Sequence, residues 1–597
     1  MLLRVRRDRL IALTLIAGAL VHNLALGWHK WGDLLIDCGK EWDVAARVGR
    51  GETLYASIRY YYGPLAPRLN GFLFSIFGEH TDVLAIAGVV SALLMSVVIY
   101  SLARWFVDRV AAALIVVAFM YLCAFAQLWP NGICNFVQPY GFAATYGILL
   151  ASGSVLLLMK WARSPSPGFI WSSALLLALV ALTKMEVFFA LAVTHAAFLV
   201  LCAWSDRVRL GRHVVGAYTL SVAVTLAGYG YFVVQAGADA VKDSLFGLIS
   251  PEFAPFSRRM MGTFSLATSL PELAYSCGAF LAALTVGAAV AFGTRNIAQG
   301  HTRKLTALFL SALTAGALYF FFPMGLAFRM VPVLLGAILI VYAVRWLKAS
   351  EQRRRLLPQI VFFVFALACL PRILLNVGTY GYGFFLVPPA LVAVAVFTLR
   401  LLPGWMPGLH LSRAARGIAF GMLLILIGIH VDISSRNFGA RRDFIDAPRG
   451  RMYVLSNVGE IPAGECYRAL VNFLTALPKD TRVLVLPQGS GFTFISGLDT
   501  PYKMHAYMDY ELTGAFTEDR VLADWSQDPP EWIVRTQHNP DPLLGGFGSR
   551  YALKIASWIV DSYEPFATIG SDSFIMVLRR KQNPPQLPAA YQPQPSP

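Results

Sequence analysis

The chain has 597 residues, 57% hydrophobic and only 14% charged, with a mean hydropathy of +0.58, a composition that excludes an ordinary soluble domain. Its net charge of +16 and pI of 9.6 would suit a nucleic-acid partner only if the cations were gathered on one surface, and their distribution along the chain argues otherwise.

A hydrocarbon core about 30 Å thick is crossed by roughly 20 apolar residues in a helix, and runs of that length recur from Leu10 to about Asp432. Hydropathy predicts spans at 10–28, 82–103, 110–128, 140–159, 168–183, 187–204, 214–235, 273–293, 305–322, 328–344, 356–376, 380–399 and 417–432. The first follows a basic segment but precedes no small-residue cleavage site, so it reads as an uncleaved anchor. With a cytoplasmic N-terminus, the inner segments carry 22 cations against four acids, Asp8, Asp108, Asp206 and Glu351. That excess is larger than the whole net charge. The basicity is a positive-inside topology signal, and thirteen crossings put loop 29–81, loop 236–272 and everything after 432 outside the cytoplasm.

Loop 29–81 is long for a helix connection and contains two amphipathic stretches, Gly39–Val48 and Pro64–Phe77, on either side of Tyr60, Tyr61 and Tyr62. After 433 the pattern becomes that of a small α/β domain. It reads as helix-like Glu465–Leu477, strand-like Arg482–Pro487 and Trp532–Arg535, helix-like Tyr551–Ser562 and strand-like Phe574–Leu578. The expected organisation is a transmembrane domain over 1–432, an extracytoplasmic α/β domain over 433–582 and a Pro- and Gln-rich disordered tail over 583–597.

The seven cysteines are scattered without a C-x-x-C pair, and the chain has no P-loop, no H-E-x-x-H and no D-x-D. Gly489-Ser490-Gly491 and Gly381-Tyr382-Gly383 are incomplete as nucleotide-binding loops. No cofactor and no metal are expected, and a soluble nucleotide-sugar transferase is disfavoured.

Four elements stand in order in the first outer loop: Asp37-Cys38-Gly39-Lys40-Glu41, Gly51-Glu52-Thr53-Leu54-Tyr55, Tyr62-Gly63-Pro64-Leu65 and a closing Phe77-Gly78. They resemble D-x-G-[RK]-E, G-x-x-L-Y, Y-G-P-L and F-G of the bacterial GT-C glycosyltransferases related to protein O-mannosyltransferases and aminoarabinose transferases. Leu182-Thr183-Lys184-Met185-Glu186 and the Tyr-Gly-rich Pro371 to Phe385 extend the likeness, which covers roughly residues 10–400. The resemblance implies an α-helical polytopic GT-C fold in a bacterial plasma membrane with its active site at the outer face. It also implies a polyprenyl-phosphate sugar donor, a glycan, lipid or protein acceptor, and an acid of the first loop as base.

A sugar on a lipid monophosphate leaves with a stable anion, so one base and cations on the phosphate suffice. Asp37 is the expected base. Glu41, four residues on, either shares the catalytic site or pairs with Lys40 or Arg47. Lys40, Tyr62, Lys184, Glu186, Arg329 and Arg372 form the expected substrate-binding set, since cations at span ends are costly without a partner. Arg258 and Arg259 fit headgroup contact, and the three tyrosines fit either sugar stacking or the interfacial aromatic belt. His22 and His195 read as packed neutral in apolar helices. Loop 128–140 has Asn131, Asn135 and Gln138 but no carboxylate, which speaks against a two-acid or metal-bridged site. A transporter or flippase of a lipid-linked substrate is the alternative reading, although no inverted repeat or midplane charge is visible.

Overall fold

The computed structural model of the protein describes residues 2–204, 211–246, 266–293, 309, 328–348, 351, 353–371, 381–406, 409–536 and 546–582. Eight described helices are long and apolar enough to cross a membrane: Val5–Gly27, Thr81–Ala103, Phe142–Arg163, Met185–Trp204, Arg212–Ala236, Val331–Lys348, Phe384–Trp405 and Ala415–Gly439. Two shorter apolar helices, Arg109–Ala124 and Pro167–Ala181, pack among them. The chain is a multi-pass integral membrane protein. The expected spans at 273–293 and 356–376 correspond to the helices Leu266–Gly293 and Arg353–Ala368. The expected span 305–322, Arg258, Arg259, Arg372 and the tail 583–597 lie outside the described residues, apart from the single position 309.

The outward faces of these helices expose Leu10, Val97, Val200, Leu226 and Ile340, side chains that a lipid surround accepts. Between helices, polar groups pair internally: the Ser154 and Ser173 hydroxyls lie 2.8 Å apart, and the His195 ring joins Ser154 at 2.9 Å and Tyr218 at 2.7 Å. His195 is therefore a packed residue, its ring nitrogens engaged by neighbouring helices. Two helices, Phe142–Arg163 and Phe384–Trp405, are the most enclosed of the set, each with 72% of its apolar window buried. They form the centre of the bundle.

The two amphipathic stretches of the first loop fold as helices Cys38–Gly49 and Leu65–Phe77, packed against each other. Contact is close because both carry glycine there: a Cβ on Gly49 would stand 2.8 Å from the Gly71 carbonyl.

The last long helix runs to Gly439 and leads at once into strand β1 (Arg441–Ala447), which pairs with β2 (Gly450–Leu455) in an antiparallel hairpin. A second sheet contains β3 (Val483–Leu486), β4 (Trp532–Thr536), β5 (Tyr563–Ile569) and β6 (Ile575–Arg580) in the order β3-β4-β6-β5, its first pair parallel and the others antiparallel. Helices Ala463–Thr475, Ser490–Ile495, Glu518–Gln527 and Leu553–Ser562 complete this α/β part. Strands β1, β2 and β5 were not apparent in the sequence, because their alternate residues are charged or at least partly exposed and dilute the apolar signal.

This part is locked onto the first loop. Gly39 and Gly491 meet backbone to backbone, so that a Cβ on Gly39 would stand 2.0 Å from the Gly491 nitrogen. The buried Arg441 guanidinium donates to the carbonyls of Gly32 at 2.8 Å and Pro130 at 2.6 Å and lies 3.8 Å from Asp33.

Candidate active site

Asp37 sits at the centre of a tight turn in which the Cys38 amide donates back to the Ile36 carbonyl. Its backbone is at φ +38 and ψ −47, the positive-φ γ-turn region that L-residues avoid, at a cost on the order of 1–3 kcal/mol. Asp33 prepares the turn, its carboxylate accepting from the amides of Leu35 at 2.8 Å and Ile36 at 3.2 Å. The helix Cys38–Gly49 starts immediately afterwards, so the Asp37 carboxylate projects from a helix N-terminus.

Two partners hold that carboxylate. The Lys40 ammonium lies 3.3 Å from Oδ1, and the Tyr382 phenol donates to Oδ2 at 3.0 Å. Burial pushes the Tyr382 phenol up, and the nearby Asp37 charge adds to that, so it remains a protonated donor. For Lys40, burial favours the neutral amine, but the charges of Asp37, Tyr62, Glu41 and Glu511 outweigh it and hold the ammonium charged.

From Tyr382 the network continues inward. The Tyr140 hydroxyl donates to the Tyr382 carbonyl at 2.8 Å and accepts from the Lys184 ammonium at 3.0 Å. Lys184 is buried among the rings of Tyr62, Phe385 and Tyr140, at 4.5, 4.8 and 4.9 Å from their centroids, with Glu186 3.8 Å away. Tyr62 stands between two cations, since Lys40 also lies 5.9 Å from its ring. Cation–π contact of this kind holds an ammonium in place.

Two sequence motifs meet to make this corner. The Gly63 amide donates to the Thr183 carbonyl at 2.6 Å, the Leu65 amide donates to Leu182 at 2.9 Å, and a Cβ on Gly63 would collide with the Leu182 carbonyl at 2.3 Å. Only glycine permits that approach, which sets Tyr62 beside Lys184. Tyr55, in the preceding motif, donates to the Tyr62 carbonyl at 2.8 Å. Glu52 receives the buried Arg47 guanidinium at 2.7 Å, which ties the loop to its own helix.

Glu41 points elsewhere. Its Oε2 accepts from the Phe142 amide at 3.0 Å and from the Tyr60 phenol at 3.2 Å, capping the central helix Phe142–Arg163 at an end whose own Gly141 has no side chain to do so. Burial pushes its carboxyl up to about 7 against the opposing pull of Lys40. Its Oε1 is buried with no hydrogen-bond partner among the described residues.

Asp37 and Lys40 line one side of a cavity of about 40 Å³, and the other side comes from the C-terminal part, with Ser490, Gln488, His505 and Glu511. The Glu511 carboxylate lies 3.3 Å from the Arg59 guanidinium and also accepts from the Tyr61 phenol.

The structure therefore gathers Asp37, Lys40, Tyr62, Lys184 and Glu186 at one corner, with Glu41 buried just behind. Arg329 is not joined to it among the described residues and pairs with Glu272 instead. Gln138 and Asn135 serve the fold: Gln138 accepts from the Trp42 indole at 2.9 Å, and Asn135 accepts from the amides of Val137 and Gln138. No group of three or more metal-ligating side chains occurs among the described residues. Tyr140, Tyr382, Glu511 and His505 were missed in the sequence. The search there was for carboxylates and cations, and for two of the four the only available signal was an aromatic residue beside a glycine.

No protein-family model and no curated protein matches the sequence. Among solved structures, the chain is similar to ArnT from Cupriavidus metallidurans bound to undecaprenyl phosphate. That likeness has 14% identity and a TM-score of 0.47 over 98% of this chain and 99% of that one. It is also similar to the archaeal oligosaccharyltransferase AglB from Archaeoglobus fulgidus in complex with an inhibitory peptide and a dolichol-phosphate. There the identity is 12% and the TM-score 0.46 over 96% of this chain and 74% of that one. Both are GT-C membrane glycosyltransferases. At such identities and TM-scores neither likeness assigns a chemistry to this chain; its own side chains have to.

Proposed function

We propose that the protein is a GT-C-type glycosyltransferase that moves a sugar from a polyprenyl phosphate to an acceptor hydroxyl at the outer face of the membrane. One observation carries this reading: a strained, doubly held Asp37 carboxylate borders a polar cavity and connects through Tyr382 and Tyr140 to a buried lysine between aromatic rings. The acceptor oxygen attacks the anomeric carbon as the bond to the phosphate oxygen breaks. Asp37 takes the hydroxyl proton, and polyprenyl phosphate leaves as an anion toward Lys184. A single displacement inverts the anomeric centre. Lys40 and Tyr382 hold the base in place, Tyr62 holds Lys184 and Lys40 apart, and Glu41 fixes the helix end behind them.

Purified full-length protein in nanodiscs tests the proposal. Undecaprenyl phosphate should bind and undecaprenol should not. Mass spectrometry of envelope glycans and lipids from a deletion strain and its parent should show one glycosylated species missing. Unchanged glycans and lipids together with no binding of the phosphate would remove the reading.

A further inference from the structure

His505 comes from the C-terminal part and is more than nine-tenths buried, yet it lines the cavity that Asp37 borders. Its Nε2 lies 2.7 Å from the Asp43 carboxylate, which also has the Arg47 guanidinium at 3.7 Å. A carboxylate at that distance accepts a hydrogen bond from Nε2–H, and this fixes the tautomer: Nδ1 is left as a lone-pair acceptor. Among the described residues Nδ1 has no hydrogen-bond partner. Burial lowers the imidazole pKa against the pull of Asp43, in keeping with a neutral ring. A buried acceptor left without a donor costs about 1–3 kcal/mol unless something else supplies one.

The rest of the wall indicates what that something is. Every charge on it is already matched: Lys40 by Asp37 at 3.3 Å and Arg59 by Glu511 at 3.3 Å. A wall whose charges are paired offers no net attraction to an anion or a cation, while Gln488 and Ser490 add neutral hydrogen-bonding groups. Building on the sugar-transfer reading, we propose that His505 Nδ1 receives a hydroxyl of the acceptor. The acceptor is then an uncharged carbohydrate, whose several hydroxyls reach Asp37 and His505 together. Asp43 is the positioning residue that fixes the ring.

The test uses full-length protein in nanodiscs and saturation-transfer NMR. The probes are a panel of neutral oligosaccharides, uronate oligosaccharides of matched length and a serine-rich peptide. Neutral oligosaccharides should give saturation transfer, while uronates and the peptide should not. His505→Gln retains a group that donates to Asp43 but has no counterpart of Nδ1, and it should bind the neutral probes about 3- to 10-fold more weakly, the worth of one neutral hydrogen bond. His505→Asn places an amide near the Nδ1 position and should recover part of that loss. Undecaprenyl phosphate binding should be equal in parent and variants. Absence of neutral-oligosaccharide binding, preference for uronate or peptide, or equal affinity in parent and His505→Gln overturns the proposal. If the parent binds neutral oligosaccharide but not undecaprenyl phosphate, the carbohydrate site stands and the donor reading falls.

Discussion

The Tyr382 phenol and the Asp37 carboxylate meet at 3.0 Å across 345 residues of sequence. With Lys40 on the other oxygen, this contact fixes the plane of a carboxylate whose own backbone is strained. An oriented, partly occupied carboxylate suits a base that must receive one proton from one direction.

Asp37→Asn should abolish turnover by about 10²–10⁴-fold, the usual cost of removing a general base. Asparagine keeps the reach to Lys40 and Tyr382 but cannot accept the proton, so binding of undecaprenyl phosphate should be unchanged. Rates measured with purified variant and parent decide this; near-parental turnover moves the base elsewhere.

Lys184→Ala should weaken binding of undecaprenyl phosphate by about 1.5–3 kcal/mol, the scale of a hydrogen bond to a charged group. Calorimetry in nanodiscs, with the parent protein measured alongside, gives the difference directly. Equal affinities would return Lys184 to a purely packing role among its three rings.

Glu41 sets a dependence of stability on pH. Its folded carboxyl is raised from the ordinary 4.5 to about 7 by burial, so between those values the folded state keeps a proton that the unfolded state releases. Its contribution is present below pH 4.5 and is lost as pH rises through 7. Glu41→Gln cannot titrate. The parent's unfolding midpoint should therefore fall relative to that of Glu41→Gln between pH 4.5 and 7.5, and a constant difference would contradict the assignment.

Gly39→Ala places a methyl 2.0 Å from the Gly491 nitrogen, and backbone has to move to admit it. The C-terminal part should dock less tightly, by roughly 1–3 kcal/mol as for overpacking elsewhere. Limited proteolysis should release it faster than from the parent while the membrane helices stay inserted.

The charge distribution predicts that the region after 432 lies outside the cytoplasm. A reporter active only in the cytoplasm, fused after residue 580, should be silent. A strong signal would invert the topology.

What could be read in the sequence follows how locally each feature is encoded. A span is a run of contiguous apolar residues, and the helices around Phe142, Met185 and Arg212 begin within two residues of their hydropathy limits. Asp37, Tyr62 and Lys184 lie in short motifs, and the Gly63–Leu182 contact shows why two of those motifs accompany each other. Tyr382 lies in the Tyr-Gly-rich stretch, which does not mark it as a partner of Asp37, and Glu511 lies in no motif at all. They reach the site only because a central helix starts at Phe384 and because Gly39 admits Gly491, and distance along the chain conceals both relationships.

The cavity has a consequence for the order of synthesis. Asp37 and Lys40 are made several hundred residues before Gln488, His505 and Glu511, which close the other side. Throughout elongation the acid exists without its enclosure, facing water. A message truncated between the codons for Gly439 and Gln488 would still yield an inserted helical protein, but one whose strained turn borders no chamber. Synthesis of the segment that carries Gln488, His505 and Glu511 thus acts as a checkpoint on when the site comes into being.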